Sequence, residues 1–296
     1  MKIFVTGASG FVGTAVVGEL LRAGHDVLGL ARSAAAAQSL LAAGAKAHRG
    51  QLEDLDGLRR AAAESDGVIH TGFNHDFSKF KENCELDRKV IETLGAALGT
   101  ADRPLIITSA IGVLPSGGRV TEETRPASPS PNPRAASEDA ARALIERGAR
   151  VSIVRLPPSV HGEGDHGFVP ILIKIAREKK ASVYLDTGAN RWPAVHRFDA
   201  ARVFMLALDK AEHGAYYHAV AEEGVAFREI AEVIGRRLKV PVVGKSREEA
   251  GGHFTWFAHF AALNISASSE QTRAGLGWRP AQPGLIADLD RPGYFA

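Results

Sequence analysis

The chain has 296 residues, of which 45% are hydrophobic and 24% are charged, and its formal net charge at pH 7 is +2. This length is sufficient to bury a large core as one or two domains. Lysine and arginine are spread along the chain, so we expect neither a nucleic-acid-binding stripe nor a membrane-surface patch. The single cysteine, Cys84, excludes an intrachain disulfide, and no apolar stretch reaches membrane-spanning length. We therefore expect a cytoplasmic protein.

The first thirteen residues, MKIFVTGASGFVG, predict a strand, a glycine turn and a helix. A β-branched apolar run covers residues 2–6, and a helical pattern covers residues 11–23. Gly7, Gly10 and Gly13 would serve a turn with positive φ, the approach of a phosphate, and close packing of helix on strand. A pyrophosphate would bind the free N–H groups at the start of the helix. The pattern predicts a dinucleotide-binding βαβ unit; the alternative is a glycine turn without a ligand.

Strands and helices alternate through the first half of the chain. After the first strand, the predicted strands cover residues 27–31, 45–48, 68–70, 105–109 and 151–156. The predicted helices cover residues 34–43, 55–63 and 80–98, and a further helix opens at Pro133 with Asn132 as its cap. This alternation predicts a parallel sheet with helices on both faces and with ligands beyond the carboxyl ends of its strands.

The strict alternation is lost after residue 160. Helices are predicted over residues 168–178, 198–208, 227–238, 247–263 and 268–276, and strands over residues 182–185 and 215–220. The aromatic residues of the 247–263 helix are assigned to the core; they are Phe254, Trp256, Phe257 and Phe260. We therefore predict an α/β fold: a Rossmann-type doubly wound parallel sheet with a smaller C-terminal α/β substrate-binding region. Residues 1–160 form the first part, and residues 161–296 form mainly the second, with some segments returning to the Rossmann sheet.

The end of the second strand bears on the choice of cofactor. Arg32 and Ser33 follow this strand, and no acidic residue stands at its tip. In dinucleotide-binding folds an acidic residue here binds a ribose 2′-hydroxyl, whereas a basic residue accommodates the 2′-phosphate of NADP(H). The sequence therefore favours NADP(H) over NAD(H); the alternative is that Arg32 is a solvated loop charge.

Six short motifs follow one another along the chain. They are TGASGFVG at 6–13, QLED at 51–54, TGF at 71–73, Thr108-Ser109, LPPSVHG at 156–162 and LGWRP at 276–280. Their order resembles that of the extended short-chain dehydrogenase/reductase family, which includes sugar-nucleotide epimerases, dehydratases and related reductases. The resemblance covers nearly the whole chain. One departure is Gln51, which stands where the family usually has an acid in its adenine-contacting segment.

The resemblance implies a set of cofactor contacts. The third motif would pass under the nicotinamide ribose, the fourth would supply the active-site Ser or Thr, and the fifth would flank the nicotinamide. Together with the tip of strand two, the predicted cofactor-binding residues are Gly7, Ser9, Gly10, Phe11, Val12, Gly13, Arg32, Ser33, Gln51, Leu52, Thr71, Gly72, Phe73, Ser109, Pro157, Ser159 and Val160.

The catalytic pair of the family is absent. The family uses a tyrosine as general acid or base and a lysine four residues later, which lowers the tyrosine pKa and holds the nicotinamide ribose. Counted from Ser109, these positions hold Arg134 and Glu138, and each of the four tyrosines of the chain lacks a lysine four residues on. Arginine keeps its proton, so Arg134 cannot cycle as an acid and base, but it can stabilise an oxyanion. Glu138 could pair with Arg134 across one helical turn.

Histidine is the natural substitute for the missing acid, because its ordinary pKa lies near neutrality. His161 and His166, with Asp165 between them, follow strand six and are the candidates for proton transfer; the alternative is that they are ordinary loop residues. The predicted catalytic residues are thus Ser109, Arg134, His161 and His166, and the predicted substrate contacts are Asn74, His75, Trp192 and His196. No metal site is predicted, because the ligand spacing of a zinc centre is missing.

Three functions remain open at this point. The first is an NADP(H)-dependent oxidoreductase that reduces a carbonyl of a small, partly apolar substrate, with Ser109 and Arg134 polarising the oxygen. The second is a catalytically silent NADP(H)-binding sensor or regulatory protein, suggested by the missing tyrosine and lysine. The third is a sugar-nucleotide epimerase or dehydratase, a chemistry that depends directly on the missing tyrosine. The expected partner is a small-molecule substrate, and family resemblance leaves a homodimer open.

Overall fold

The protein folds into a succession of strands and helices, which a computed structural model describes for residues 1–99 and 102–296. The strands in this part of the chain are β1 Lys2–Thr6, β2 Asp26–Ala31, β3 Lys46–Arg49, β4 Gly67–His70, β5 Leu105–Ala110, β6 Arg119–Val120, β7 Val151–Leu156, β8 Ser159–His161, β9 Ser182–Leu185, β10 Arg191–His196, β11 Tyr216–His218, β12 Glu222–Ala226, β13 Val242–Lys245 and β14 Ser266–Ala267. The α-helices are α1 Phe11–Arg22, α2 Ala34–Ala42, α3 Leu55–Ala63, α4 Phe80–Leu98, α5 Ala136–Glu146, α6 Phe168–Lys179, α7 Arg197–Lys210, α8 Phe227–Leu238, α9 Arg247–Phe254, α10 Ala258–Ala261, α11 Glu270–Leu276 and α12 Leu285–Leu289.

A seven-stranded parallel sheet forms the centre of the molecule, in the order β11-β7-β5-β4-β1-β2-β3. Helices α1, α2 and α7 pack against one face, and α3, α4 and α5 against the other, each face with its own apolar core. The strand order reverses between β1 and β4, and ligands of such sheets bind at that crevice. The predicted doubly wound Rossmann-type fold is confirmed.

The glycine turn after β1 is packed directly against the end of β4. Gly7 has φ +65°, and a Cβ atom there would lie 2.7 Å from the backbone nitrogen of Gly72. A Cβ on Gly13 would collide with the carbonyl group of Gly7. These close approaches require glycine, because any side chain would separate helix α1 from the sheet.

The C-terminal part has a second core and three small sheets. Strands β12, β10 and β8 form the largest of them, and helices α6, α8 and α9 cover an apolar cluster beside it. Strand β11 leaves this part and joins the edge of the central sheet. The sequence did not predict β8, β10, β12 or β13, because short strands that pair with distant partners carry little local periodicity and β10 contains Pro193.

The predicted helix over residues 247–263 is wrong. Helix α9 ends at Phe254, and Thr255 takes a φ of +52°, so a single 3₁₀ turn separates α9 from α10. Phe254 and Phe257 are buried, as predicted, but Trp256 is 55% exposed and lies outside the core. Consecutive glycines at 251 and 252 weaken the helix ahead of this break.

A buried ion pair joins helix α5 to the central sheet. Nε and Nη2 of Arg155 each lie 2.8 Å from a carboxylate oxygen of Glu138, and the two side chains are 0% and 1% exposed. The hydroxyl of Ser109 donates to Glu138 Oε1 at 2.7 Å. The expected pairing of Glu138 with Arg134 is therefore wrong: Arg155 is fully buried on β7 and takes this carboxylate as its counter-charge.

None of the helices in residues 1–99 and 102–296 combines the length and the apolar character that a membrane span requires.

Breaking the Glu138–Arg155 pair should destabilise the fold strongly. Glu138→Gln leaves a buried guanidinium without its counter-charge and should lower the free energy of unfolding by about 3–5 kcal/mol. Asp139→Asn breaks the exposed pair between Asp139 and Arg142 on the same helix and should cost no more than about 1 kcal/mol. Urea denaturation of both variants measures the difference. Similar losses in the two variants would contradict a structural role for the buried pair.

Candidate active site

The start of helix α1 presents free backbone donors at the sheet edge. Gly10 caps the helix without a side chain, and its N–H donates to the Gly7 carbonyl at 2.8 Å. The N–H groups of Phe11, Val12 and Gly13 have no acceptor within the helix. Ser9 is exposed beside them. Donors in this position, at the positive end of a helix dipole, can bind a pyrophosphate.

The end of β4 holds the glycine turn in place. Gly72 N donates to Thr6 Oγ1 at 3.2 Å, and Thr71 Oγ1 donates to the Thr6 carbonyl at 2.8 Å. The side chain of Leu52 lies against Gly72, whereas Gln51 is exposed. These contacts bring predicted residues of the first three motifs together at the carboxyl ends of β1 and β4, where the strand order reverses.

The tip of β2 lies further along the same edge. Arg32 is exposed there, and Ser33 accepts a hydrogen bond from Ala36 N at 3.1 Å and so caps α2. The predicted residues after β7 are more enclosed. Pro157 and Ser159 are buried, Val160 is partly buried, and Ser159 Oγ has no hydrogen-bond partner among the described residues.

Arg134, at the position of the family's tyrosine, is a fixed cation. Asn132 caps its 3₁₀ turn, Pro133–Ala135, by accepting from Arg134 N at 3.0 Å. Arg134 Nη1 lies 2.9 Å from Asp87 Oδ2, and the guanidinium carbon lies 4.4 Å from the ring centroid of Phe73. Nη2 donates to the carbonyl of Thr108 at 3.1 Å. The side chain is only 12% exposed. Such a group can stabilise negative charge on a substrate oxygen.

Asp87 of α4 connects Arg134 to the glycine turn. Its Oδ1 lies 2.9 Å from Nε2 of His70, and Nδ1 of His70 lies 2.6 Å from Thr6 Oγ1. Burial alone would raise the pKa of Asp87, but Arg134 and the contact with His70 outweigh it and lower this pKa below its ordinary value. Asp87 was not among the residues predicted from the sequence. The available signal was a carboxylate on the buried face of a predicted helix, between Cys84 and Ile91.

Ser109 faces the interior. It is 1% exposed, and its hydroxyl donates to Glu138 Oε1 at 2.7 Å. With its proton directed to Glu138, Ser109 has none to donate to a substrate oxygen in this arrangement. The expectation that Ser109 polarises the substrate is therefore not supported, and Arg134 is left as the polarising group.

Three further predicted catalytic and substrate residues lie in the protein interior. His161 is 0% exposed and its Nδ1 lies 2.9 Å from Asp288 Oδ2. His196 is 5% exposed, and its Nδ1 accepts from the N–H of Phe198 at 3.3 Å, which caps α7. Trp192 is 0% exposed in the second core. Burial of these side chains in their own contacts does not support direct contact with a reacting substrate.

Two other histidines are accessible near the carboxyl ends of β1 and β4. His75 is exposed and packs edge-on against Phe73 at 5.2 Å, with the partly buried Asn74 beside it in the chain. His166 is exposed and packs edge-on against Phe11 at 5.7 Å. Desolvation among these neighbours and the positive charges of Arg134 and His166 lower the pKa of His75. The structure thus gathers His75, His166 and Arg134 where the cofactor motifs meet.

The loop that carries His166 is fixed by the end of the chain. Gly162 N donates to the hydroxyl oxygen of Tyr294 at 3.0 Å, and the Tyr294 hydroxyl donates to Asp165 at 3.3 Å. Burial raises the pKa of Asp165 to about 6. Within residues 1–99 and 102–296, no cluster of three or more His, Cys, Asp or Glu side chains is arranged to hold a metal ion.

Comparison with known proteins identifies the family. The model of the NAD dependent epimerase/dehydratase family matches residues 3–220. The uncharacterized protein C2A9.02 of Schizosaccharomyces pombe is 49% identical over 295 residues, which cover 100% of both chains. A 4-hydroxy-2-methyl-3-oxo-4-farnesyl-3,4-dihydroquinoline-1-oxide ketoreductase of Stigmatella aurantiaca is 28% identical over 229 residues, or 73% of this chain and 67% of the other.

Comparison with solved structures gives a fold that agrees with this family match. DesIV, a dTDP-glucose 4,6-dehydratase of Streptomyces venezuelae solved with NAD and TYD bound, superposes with a TM-score of 0.78 at 21% identity, over 100% of this chain and 97% of that one. The resemblance expected from the six motifs is confirmed. The chain belongs to the NAD-dependent epimerase/dehydratase family of extended short-chain dehydrogenases/reductases, a family that binds nicotinamide dinucleotides.

Proposed function

We propose that the protein is an NADP(H)-dependent oxidoreductase that reduces the carbonyl group of a small, partly apolar substrate. The observation that carries this proposal is Arg134, a nearly buried cation fixed by Asp87 beside the cofactor motifs. The family and the ketoreductase relative support an oxidoreductase, and the exposed Arg32 supports NADP(H). Cytoplasmic location and a homodimer stay predictions.

The described residues fit a nicotinamide dinucleotide. The N–H groups of Phe11, Val12 and Gly13 suit its pyrophosphate, and the turn before them leaves room only for glycine at position 7, where a Cβ atom would lie 2.7 Å from the backbone nitrogen of Gly72. When bound, the reduced cofactor supplies the hydride that the carbonyl carbon accepts, while a proton goes to the oxygen and an alcohol and the oxidised cofactor result.

Arg134 would act on the carbonyl oxygen. As negative charge develops there, the fixed guanidinium stabilises it without having to move, because Asp87 and Thr108 already hold its orientation. Arg134 keeps its own proton, so a second group must supply one.

His75 is the group we assign to proton transfer, with His166 as its neighbour. It is accessible to solvent, close to Arg134, and its lowered pKa makes the protonated ring a stronger acid. The neutral ring, which dominates near pH 7, can accept the proton in the reverse direction. His161 is not part of this proposal because it is buried against Asp288.

A silent cofactor-binding sensor is the second candidate. The observation that favours it is the use of Glu138 as a structural counter-charge, since the family's lysine position then contributes nothing to catalysis. Tight cofactor binding without turnover of any carbonyl would support it. An epimerase or dehydratase has less support, because Arg134 cannot exchange a proton as tyrosine does.

Turnover is the first test. Purified protein should oxidise NADPH in the presence of at least one member of a panel of ketones and aldehydes, followed by absorbance at the nicotinamide band. Arg134→Leu should lower kcat by about 10²- to 10³-fold, the usual loss for one oxyanion donor. Arg142→Leu, on the exposed side of α5, should have no such effect.

A second variant guards against misfolding. Arg134→Leu leaves Asp87 without its cation, so thermal melting and NADPH binding must accompany the kinetics. Arg134→Lys keeps the charge but loses the paired donors, and should retain part of the activity. Wild-type inactivity across the panel, or unchanged kcat in folded Arg134→Leu, would contradict the proposal.

Cofactor preference rests on Arg32. Arg32→Asp should weaken NADPH binding by about tenfold or more, the value of one charge-assisted hydrogen bond, and should affect NADH much less. Arg60→Asp changes an equally exposed arginine on α3 and serves as the control. Isothermal titration with both cofactors makes the comparison. Equal effects on NADPH and NADH would mean that Arg32 does not recognise the 2′-phosphate.

The pKa of His75 reports the nearby charge of Arg134. Replacing Arg134 by Gln removes a positive charge that disfavours the imidazolium, so the pKa of His75 should rise toward 6.5. In the wild type, protonation of His75 should therefore occur at lower pH than in the variant. Ring-proton NMR titration measures both, with Arg142→Gln as control. A pKa that falls or stays fixed in Arg134→Gln would argue against the assignment.

A further inference from the structure

A continuous group of aromatic side chains joins the dinucleotide-binding part to the C-terminal part. We call it the aromatic wall; its members are Phe73, Phe77, Phe80, Phe168, Trp256 and Phe260. Phe77 is central: its ring centroid lies 5.3 Å from that of Phe260, 5.5 Å from Trp256, 5.7 Å from Phe80 and 6.2 Å from Phe168. These distances lie within the range of direct aromatic contact.

The wall begins at the proposed reaction centre. Phe73 lies beneath the guanidinium of Arg134 at 4.4 Å, and its ring contacts Phe80 at 6.4 Å. Phe80 in turn contacts Phe77, which also lies 6.2 Å from the ring of His75. The cation therefore lies at one end of the wall, and the accessible His75 lies beside Phe73 and Phe77.

Trp256 is presented to solvent by an unusual backbone. Trp192 and Trp278 are 0% and 1% exposed, whereas Trp256 is 55% exposed. Thr255 before it has φ +52°, a conformation that a β-branched residue adopts only under strain. This turn directs Phe257 into the core and leaves Trp256 tilted by 31° against Phe77. The exposed part of the Trp256 ring is therefore available for contact with a ligand.

The chemistry of the wall limits what it can bind. Its own side chains carry no formal charge. At the Arg134 end, His75 and Asn74 are available to orient a ligand oxygen. Flat aromatic faces favour offset or edge-on contact with another π system. A ligand with a ring system along the wall and one oxygen at Arg134 would match both features.

We propose that the substrate is a planar, ring-conjugated ketone, whose aromatic part binds the wall at Trp256 and Phe77 and whose carbonyl oxygen lies at Arg134. This inference rests on the proposed function and names its substrate class. The balance of the reaction is unchanged: the carbonyl carbon gains a hydride from the reduced cofactor, the oxygen gains a proton, and a secondary alcohol forms.

Binding of two matched probes tests the proposal. 2-Acetylnaphthalene and methyl decalyl ketone have the same carbon skeleton and the same carbonyl group, but only the first is planar and aromatic. Isothermal titration of the full chain loaded with NADP⁺ measures affinity without turnover. The wild type should bind the aromatic ketone at least about twofold more tightly, the lower limit for one aromatic pair.

Variants of Trp256 test whether this side chain causes the preference for the aromatic ketone. Trp256→Leu should weaken binding of 2-acetylnaphthalene by about 2- to 10-fold and leave methyl decalyl ketone nearly unchanged. Trp256→Phe keeps a π face and should restore most of the loss. Trp256 is exposed, so both variants should fold as the wild type does, and thermal melting checks this. Equal affinity of the wild type for both probes, or equal losses in Trp256→Leu, would overturn the proposal.

The two proposals fail in different ways. Preferential binding of the aromatic ketone without NADPH oxidation would keep the aromatic wall and remove the reductase function. Turnover of saturated ketones, with no preference between the probes, would keep the reductase function and remove the wall as a determinant of substrate class.

Discussion

The buried carboxylate of Asp87 is the constraint on which the site depends. It lies between His70 and Arg134, and His70 in turn contacts Thr6 at the end of β1. A buried carboxylate must be paired, and Asp87 obtains its cation from the position where the family has its tyrosine. The same contact therefore stabilises the helix–sheet junction and fixes a positive charge beside the cofactor motifs. The Asp87–Arg134 ion pair thus serves both the packing of the fold and the proposed chemistry.

The two departures from the family's catalytic pair each have a buried partner of opposite charge. Arg134 pairs with Asp87, and Glu138 pairs with Arg155. Leaving either partner unpaired would be costly, so reversion of one residue alone, Arg134→Tyr or Glu138→Lys, would strand a buried charge. The replacements are thus integrated into the packing of α4, α5 and β7. A silent protein and an enzyme with altered chemistry are both compatible with this packing, and measured turnover is what separates them.

The sequence predicted the architecture well because alternating strands, helices and glycine turns are local patterns. The strand β1, the turn at Gly7 and the alternation as far as β7 followed from residue types a few positions apart. Contacts within the site did not, because they join distant residues: Arg134 lies 47 positions from Asp87, and Arg155 lies 17 positions from Glu138. Helical spacing suggested Arg134 as the ion-pair partner of Glu138. The fold instead places Arg155 of β7 against the Glu138 carboxylate.

Burial explains the other differences between expectation and structure. His161 and Trp192 belong to strands β8 and β10, which pair with partners far away in the chain, and a histidine in a loop looks accessible until those strands are known. Trp256 shows the reverse, since an aromatic residue at helical spacing indicates a core position. The positive φ of Thr255, which no periodicity reveals, moves it to the surface.

The surroundings of Arg134 give its charge its proposed effect. A guanidinium in open water would be screened and would stabilise a substrate oxygen only weakly. Here the ring of Phe73 covers one side and Asp87 fixes the orientation, so a carbonyl bound along the aromatic wall would meet the cation in a region of low polarity. An apolar ring system would exclude water from this contact as it binds. The cation and the wall would therefore act together, with proton exchange left to the more accessible His75.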